Sequence, residues 1–188
     1  MCKFKYLQLL GEGSHGVAVK IVRENHVLKI TDDEEEYLIA QQMVGRKNAN
    51  LVDIYDCHKM GHTFYIWQEC LEKNPYHLDL ICFTNSFRNS VANCINIDFP
   101  SRGLAPFWAG LEYIKKNNKT FISCALHEFR KKLCDSAYET MFQDTCQAIQ
   151  ELNRINKKAY LDLHGCNIGF TTCGKLKYFD FSLEKSNN

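Results

Sequence analysis

The stretch LLGEGSHGVAVKIVRENHVLKITDDEEEYLIA, Leu9 to Ala40, decides the fold. VAVKIV alternates, with Val17, Val19 and Ile21 on one face, and RENH turns the chain into a second apolar run, VLKI. Together with FKYLQLL ahead of it, residues 4–30 read as strand, turn, strand, turn, strand. Thr31-Asp32-Asp33-Glu34 spells a capping box, in which Thr31 accepts a backbone N–H and Glu34 reaches back. The helix it opens, EEEYLIAQQMV, is expected to carry Leu38, Ile39 and Met43 on its apolar side and to stop at Gly45.

Gly11, Gly13, Gly16 and Val17 therefore lie in a hairpin. The dinucleotide fingerprint of similar spelling follows a strand and opens a helix, so it is the wrong comparison. A hairpin with this glycine spacing lets backbone amides come close to the phosphates of a nucleotide without side-chain obstruction. A glycine turn alone is weak support for such a site.

Further along, LVDIYDCHKMGHTFYIWQECLE reads as two strands around a turn at Gly61-His62. Residues 74 to about 133 show no clean period. Their aromatics (Tyr76, Phe83, Phe87, Phe99, Phe107, Trp108, Tyr113) read first as core, and as a partner surface where exposed. Ser136-x-x-Glu139 is a second capping box. The helix after it carries Tyr138, Phe142, Thr145, Ile149, Leu152 and Ile155 at three- and four-residue steps. AYLDLHGCNIGF, Ala159 to Phe170, follows, and KLKYFDFS reads as one short strand. The order predicts an α+β protein of two parts, a sheet with one helix and then a mainly helical half.

Composition narrows the function classes. With 188 residues, 45% hydrophobic and 24% charged, the chain can bury a core as one domain or two small lobes around a cleft. A net charge of +1 points to neither nucleic acid nor an anionic membrane, and no apolar run approaches the ~20 residues of a membrane span. The apolar stretch at the N-terminus is too short for a signal peptide. Ten cysteines without a C-x-x-C read as free thiols in a reducing, cytoplasmic compartment, and no Cys/His pairs have zinc-ligand spacing.

Three observations carry chemistry. Lys29 sits among Val, Leu and Ile on a strand, where a lysine either snorkels outward or is held inward by anions. An acidic helix follows at once. Glu35, three and four residues before Leu38 and Ile39, is the expected partner, with Glu36 the alternative. The acidic first turn also suits the helix dipole on its own. Lastly, Asp162, Asn167 and Asp180 supply what phosphoryl transfer needs: a carboxylate to orient an attacking hydroxyl, and oxygen ligands for Mg²⁺. Each alone would be a turn-former.

As an ordered set, Gly11/Gly13/Gly16/Val17, Lys29, the acidic helix, QECLE, YLDLHGCN and FDFS resemble the signature motifs of the protein kinases. The resemblance covers the chain outside residues 75–133. It implies a two-lobed protein-kinase-like fold: an antiparallel N-lobe sheet with one helix and the hinge over 1–73, then a truncated, mainly helical C-lobe over 74–188. Residues 74–133 would be the divergent segment and 134–182 the catalytic and metal-binding elements. It further implies ATP and Mg²⁺ as cofactors, Gln68 as gatekeeper, and Glu69 C=O and Leu71 N–H as the adenine contacts. Lys29 with Glu35 or Glu36 would position the phosphates, Asp162 would orient the hydroxyl, and Asn167 and Asp180 would hold metal.

The departures refine the expectation. His164 stands where typical eukaryotic kinases carry a lysine, and is expected to touch the γ-phosphate or Asp162. DLHGCN is similar to aminoglycoside and choline kinases and to small phage-encoded serine/threonine kinases. Leu161 replaces the arginine that reads an activation-loop phosphate, Tyr160 the preceding histidine, and Ser182 the glycine after Asp180-Phe181. With few residues after Asp180, no activation segment or A-P-E motif is expected, as in the phage enzymes and the OspG-type bacterial effector kinases. The resemblance thus implies a minimal serine/threonine protein kinase acting on itself or on a host-cell protein substrate or regulatory partner. The alternatives are a pseudokinase that acts by occupying a partner and a small-molecule phosphotransferase.

Overall fold

The computed structural model describes residues 7–21, 24–72, 79–95 and 105–183. The expected strand start at residue 4, the divide at 73/74, Tyr76 and Phe99 lie outside them. The alternating stretch folds into strands β1 (Leu7–Gly13), β2 (Gly16–Ile21) and β3 (His26–Thr31), joined as antiparallel hairpins. Helix α1 (Glu34–Met43) intervenes before β4 (Ile54–Met60) and β5 (Thr63–Glu69) complete the sheet in the order β1-β2-β3-β5-β4. The β4–β5 turn falls at Gly61, whose φ of 62° is left-handed and suits glycine. The described residues thus form an α+β architecture, a five-stranded antiparallel sheet with five α-helices.

The start of α1 corrects the sequence reading. Thr31 still belongs to β3, paired with Gly16 and Phe64, and its Oγ1 accepts only the Asp33 N–H. Asp33 is the cap instead, its Oδ1 accepting the Glu35 and Glu36 amides at 2.9 and 3.1 Å. With that frame Glu36, Tyr37, Ile39, Ala40 and Met43 face inward, while Leu38 is 42% exposed. The helix ends as expected before Gly45, which takes φ of 73°.

The segment without a legible period is helical. Helices α2 (Leu80–Ile95), α3 (Ala105–Lys115) and α4 (Lys119–Arg130) occupy it. Phe83, Phe87 and Val91 recur every four residues on the inner face of α2, but Thr84, Ser86 and Ser90 are buried beside them. Thr84 and Ser90 satisfy themselves by donating to the Ile81 and Ser86 carbonyls, so polar residues sit inside at little cost and blur the pattern. Phe107 is also buried, whereas Trp108 and Tyr113 are exposed.

Helix α5 (Ser136–Ile155) follows the predicted stripe closely. Phe142, Thr145, Ile149 and Leu152 are buried, and Tyr138 and Ile155 half-buried. Its cap is Asp135, whose side chain accepts the Ala137 amide. Glu139 does not close a capping box; it makes a two-bond pair with Arg130 at 2.8 and 2.7 Å.

KLKYFDFS is not one strand. Strand β8 (Leu176–Tyr178) pairs with β7 (Ile168–Phe170), and β9 (Phe181–Leu183) with β6 (Ala159–Leu161), so the chain breaks at Phe179-Asp180 to change ribbon. A 3-10 turn over Gly165–Asn167 links β6 to β7. One continuous core joins α1, β4, β5, the helices and these ribbons. Asn50, Leu51 and Val52 cross between them fully buried, exchanging backbone hydrogen bonds with Tyr178.

A buried cation reinforces that junction. Lys177 on β8 is 5% exposed, donating to Glu69 Oε2 at 2.6 Å and lying 3.5 Å from Asp53 Oδ1. Asp53 also accepts from Lys47 and from the Asn48 amide. Lys177→Met would strand Glu69 among buried neighbours, and is expected to lower the unfolding free energy by on the order of 3 kcal/mol in urea titration. Lys47→Met, which removes an exposed ammonium, is expected to cost much less.

Candidate functional site

A cleft of about 770 Å³ is lined by β1–β3 on one side and by residues 162–182 on the other. The β1–β2 hairpin reaches over it with Gly11 and Gly13, while Gly13 pairs with Gly16 at the tip. A Cβ added at Gly11 or Gly13 would meet nothing within 4 Å, and neither has positive φ, so neither packing nor backbone conformation demands glycine there. A close-lying ligand would. Gly16 is different: a Cβ would fall 2.0 Å from the Ile30 carbonyl, so strand pairing alone requires it.

Cross-strand register places the next side chains. Lys29 on β3 lies opposite Ala18 on β2 and Ile66 on β5, and Val27, one repeat back, lies opposite Gln68. Pleating points Val27 and Lys29 to the same face, and both line the cleft. The Lys29 ammonium donates to Glu36 Oε1 at 2.5 Å and to Asp180 Oδ1 at 3.3 Å. So the partner on α1 is Glu36, three and four residues before the buried Ile39 and Ala40, while Glu35 is half-buried and outside the cleft lining.

Two opposed effects act on this trio. Burial favours neutral forms, and would lower the Lys29 pKa, but the two carboxylates outweigh it and Lys29 is raised. For Glu36 burial dominates, helped by Asp180 and Asp33, and pushes the carboxyl up to about 7 against the pull of Lys29.

On the other wall, Asp162 follows β6 and Asn167 ends the 3-10 turn. Asn167 Nδ2 donates to Asp162 Oδ2 at 2.8 Å and to the Asp162 carbonyl at 3.2 Å, which fixes the amide's orientation. The backbone then ties this loop to the ribbon break: Asp162 N–H to Asp180 C=O at 3.4 Å, and Phe179 N–H to Asn167 C=O at 3.3 Å. Asp162, Asn167 and Asp180 all line the cleft with Lys29. The loop is seated on α2, since a Cβ at Gly165 would come within 2.9 Å of the Leu80 backbone. No protein-family model matches this chain, and a search of the curated proteins finds no match either.

His164 lies apart from the group. It is exposed, outside the cleft lining, and its Nδ1 accepts the Cys166 amide at 3.3 Å, capping the turn instead of reaching Asp162. Gln68 is buried on the lining. Glu69 and Leu71 line the cleft too, but the Glu69 carboxylate is held by Lys177 and the Asp53 amide. Leu71 packs on Gly169, where a Cβ would lie 2.5 Å from Leu71 Cβ, and Glu72 bridges to Phe170 through two backbone hydrogen bonds.

The sequence reading missed Cys166 and Phe179 in the lining, the close-approach glycines 165 and 169, and the Asp53–Lys177–Glu69 network. Lys177 carried a usable signal, a lysine alternating with Leu176 and Tyr178, the same argument that singled out Lys29.

Chemically, the cleft offers apolar walls (Val17, Val27, Leu71, Ile168), one ammonium and an oxygen-rich cluster. Asp180 and Asn167 together bring a carboxylate and an amide oxygen, donors suited to a hard cation such as Mg²⁺ that takes its remaining ligands from elsewhere. Among the described residues, no group of three or more His, Cys, Asp or Glu side chains could hold a metal by itself.

The Glu36 shift has a measurable consequence. A carboxyl raised from its usual 4.5 to about 7 favours the folded state while protonated, and that contribution is lost as pH rises through 7. The unfolding free energy is therefore expected to fall by on the order of 3 kcal/mol between pH 5 and pH 8. Glu36→Gln should remove most of that slope, read by denaturant titration at each pH.

Proposed function

We propose that this protein is an ATP- and Mg²⁺-dependent serine/threonine protein kinase of minimal type. The observation that carries the reading is the meeting of Lys29, paired with Glu36, and the Asp162–Asn167–Asp180 cluster in one cleft beneath a glycine hairpin. The two-lobed kinase-like fold is part of the same proposal, supported by an antiparallel sheet with a single packed helix followed by helices and short ribbons.

In this reading the adenine ring takes the apolar end, between Val17, Val27 and Ile168, near the backbone of Glu69 and Leu71. The hairpin amides around Gly11 and Gly13 and the Lys29 ammonium hold the phosphates, with Glu36 keeping that ammonium aimed. Asn167 and Asp180 would hold Mg²⁺, which would supply charge neutralisation for the phosphoryl group. Asp162 accepts the hydrogen bond of the acceptor hydroxyl and orients it; Asn167 Nδ2, on the same carboxylate, holds Asp162 in position. His164 acts through the loop's shape and makes no contact of its own with the reacting groups. The acceptor is a serine or threonine of the protein itself or of a host-cell protein, in a cytoplasmic setting. Among the described residues no helix is long and apolar enough to cross a membrane.

Purified protein given γ-labelled ATP and Mg²⁺, alone and with host-cell lysate, is expected to transfer label to serine or threonine. Asp162→Ala should lower that rate by about 10²–10⁴, and Lys29→Ala should abolish it. Failure of the folded wild-type chain to label itself or any lysate protein would refute the assignment.

A further inference from the structure

Away from the cleft, α2 and α4 bring two thiols together. Cys94 lies in the last turn of α2 and Cys124 in the middle of α4, thirty residues apart in sequence, with their sulfurs 3.0 Å apart. Both are half-buried, so a small reagent can reach them. Among the described residues no other two cysteine sulfurs make contact: Cys57 and Cys146 are isolated within the fold, Cys70 is buried with its thiol on the Leu71 carbonyl, and Cys82, Cys134, Cys166 and Cys173 are exposed singly.

The helices hold this pair from beneath. Val91, one turn before Cys94, and Ala125, beside Cys124, are fully buried, and α2 packs against α4. Closing from 3.0 Å to a bonded sulfur pair needs a movement of about 1 Å, within reach of χ1 rotation at two cysteines. Burial and then the neighbouring Cys124 push the Cys94 thiol up to about 12. At neutral pH Cys94 therefore keeps its proton and reacts slowly with stray electrophiles.

We propose that Cys94 and Cys124 form a modification site, a dithiol that a small-molecule disulfide of the glutathione type converts to a reversible intramolecular disulfide. One cysteine, as thiolate, attacks a sulfur of the small disulfide, forming a mixed disulfide and releasing one small thiol. The second cysteine gives up its proton and attacks the protein sulfur of that mixed disulfide, expelling the other small thiol. Two protein thiols are oxidised, one disulfide is reduced, and both protons end on the released thiols. The bond fastens the end of α2 to α4 and encloses α3. It does not depend on what the cleft binds.

The test equilibrates the full chain in glutathione buffers from reducing to oxidising, quenches in acid, alkylates and maps the peptides. The expected product is a Cys94–Cys124 linked peptide that forms faster at higher pH and disappears when reductant is restored. The unfolding midpoint should rise by about 5–10 °C on oxidation, as closure of a loop of this length implies. Cys94→Ser, and separately Cys124→Ser, should lose both the link and the rise. Recovery of both cysteines as free thiols or as separate glutathione adducts in the most oxidising buffer, with the fold intact, would overturn the proposal. So would linkage of either one to a different cysteine.

Discussion

Lys29 carries a positive charge out of water, and the two carboxylates that compensate it arrive from segments far apart in the sequence. Glu36 comes from the first turns of α1, and Asp180 from the break between β8 and β9, 151 positions along the chain from Lys29. Leaving the ammonium with only one of them would expose the sheet to the cost of an undercompensated buried charge, which commonly reaches several kcal/mol. The contact therefore adds to the apolar packing that holds α1 on the sheet and keeps the ribbon break at the cleft. Asp162 and Asn167 follow because the backbone of their loop is hydrogen-bonded to Phe179 and Asp180. Replacing this trio with hydrophobic residues would serve stability as well, so its presence at a cleft wall points to use of the charge.

Lys177 repeats the device where the sheet meets the helical half. Its ammonium lies between Glu69 and Asp53, next to the buried crossing at Asn50–Val52. The two buried lysines differ in one respect that bears on function. Glu69 and Asp53 enclose Lys177 almost completely, while Lys29 is 18% exposed and Asp180 35%. Lys29 thus keeps a face toward the cleft and Lys177 does not, which is why the proposed reading gives the ligand to Lys29 and leaves Lys177 a structural part.

Much of this was legible in the residues, and the failures have physical reasons. Strands β2 to β5 follow from alternation and glycine turns, and α5 from a stripe of large apolar residues. Helix α1 was legible in kind but displaced at its start, since Thr31, Asp32 and Asp33 can all cap and only tertiary pairing of Thr31 in the sheet selects Asp33. The inward face pairs Ile39 with Ala40 and Met43 instead of with Leu38, so Leu38 turns outward and the Lys29 partner is Glu36 instead of Glu35. Helices α2 to α4 were hidden because Thr84, Ser86 and Ser90 are buried on the inner face of α2, and the first two turns of α3 mix Pro106, Phe107 and Trp108. KLKYFDFS looked like one strand because alternation cannot show that consecutive triplets pair with different partners. The spacing of Asp162 and Asn167 did predict that their side chains share a site, and they bond directly.

The arrangement stands or falls on whether the cation at Lys29 and the oxygens at Asn167 and Asp180 serve one ligand. Calorimetric titration of the folded chain with ATP, with and without Mg²⁺, in wild type and Asp180→Asn, asks that question directly. One-to-one binding that Mg²⁺ strengthens at least tenfold in wild type, and leaves unchanged in Asp180→Asn, is the predicted result. No binding to the wild type, or the same Mg²⁺ enhancement in both proteins, would contradict it.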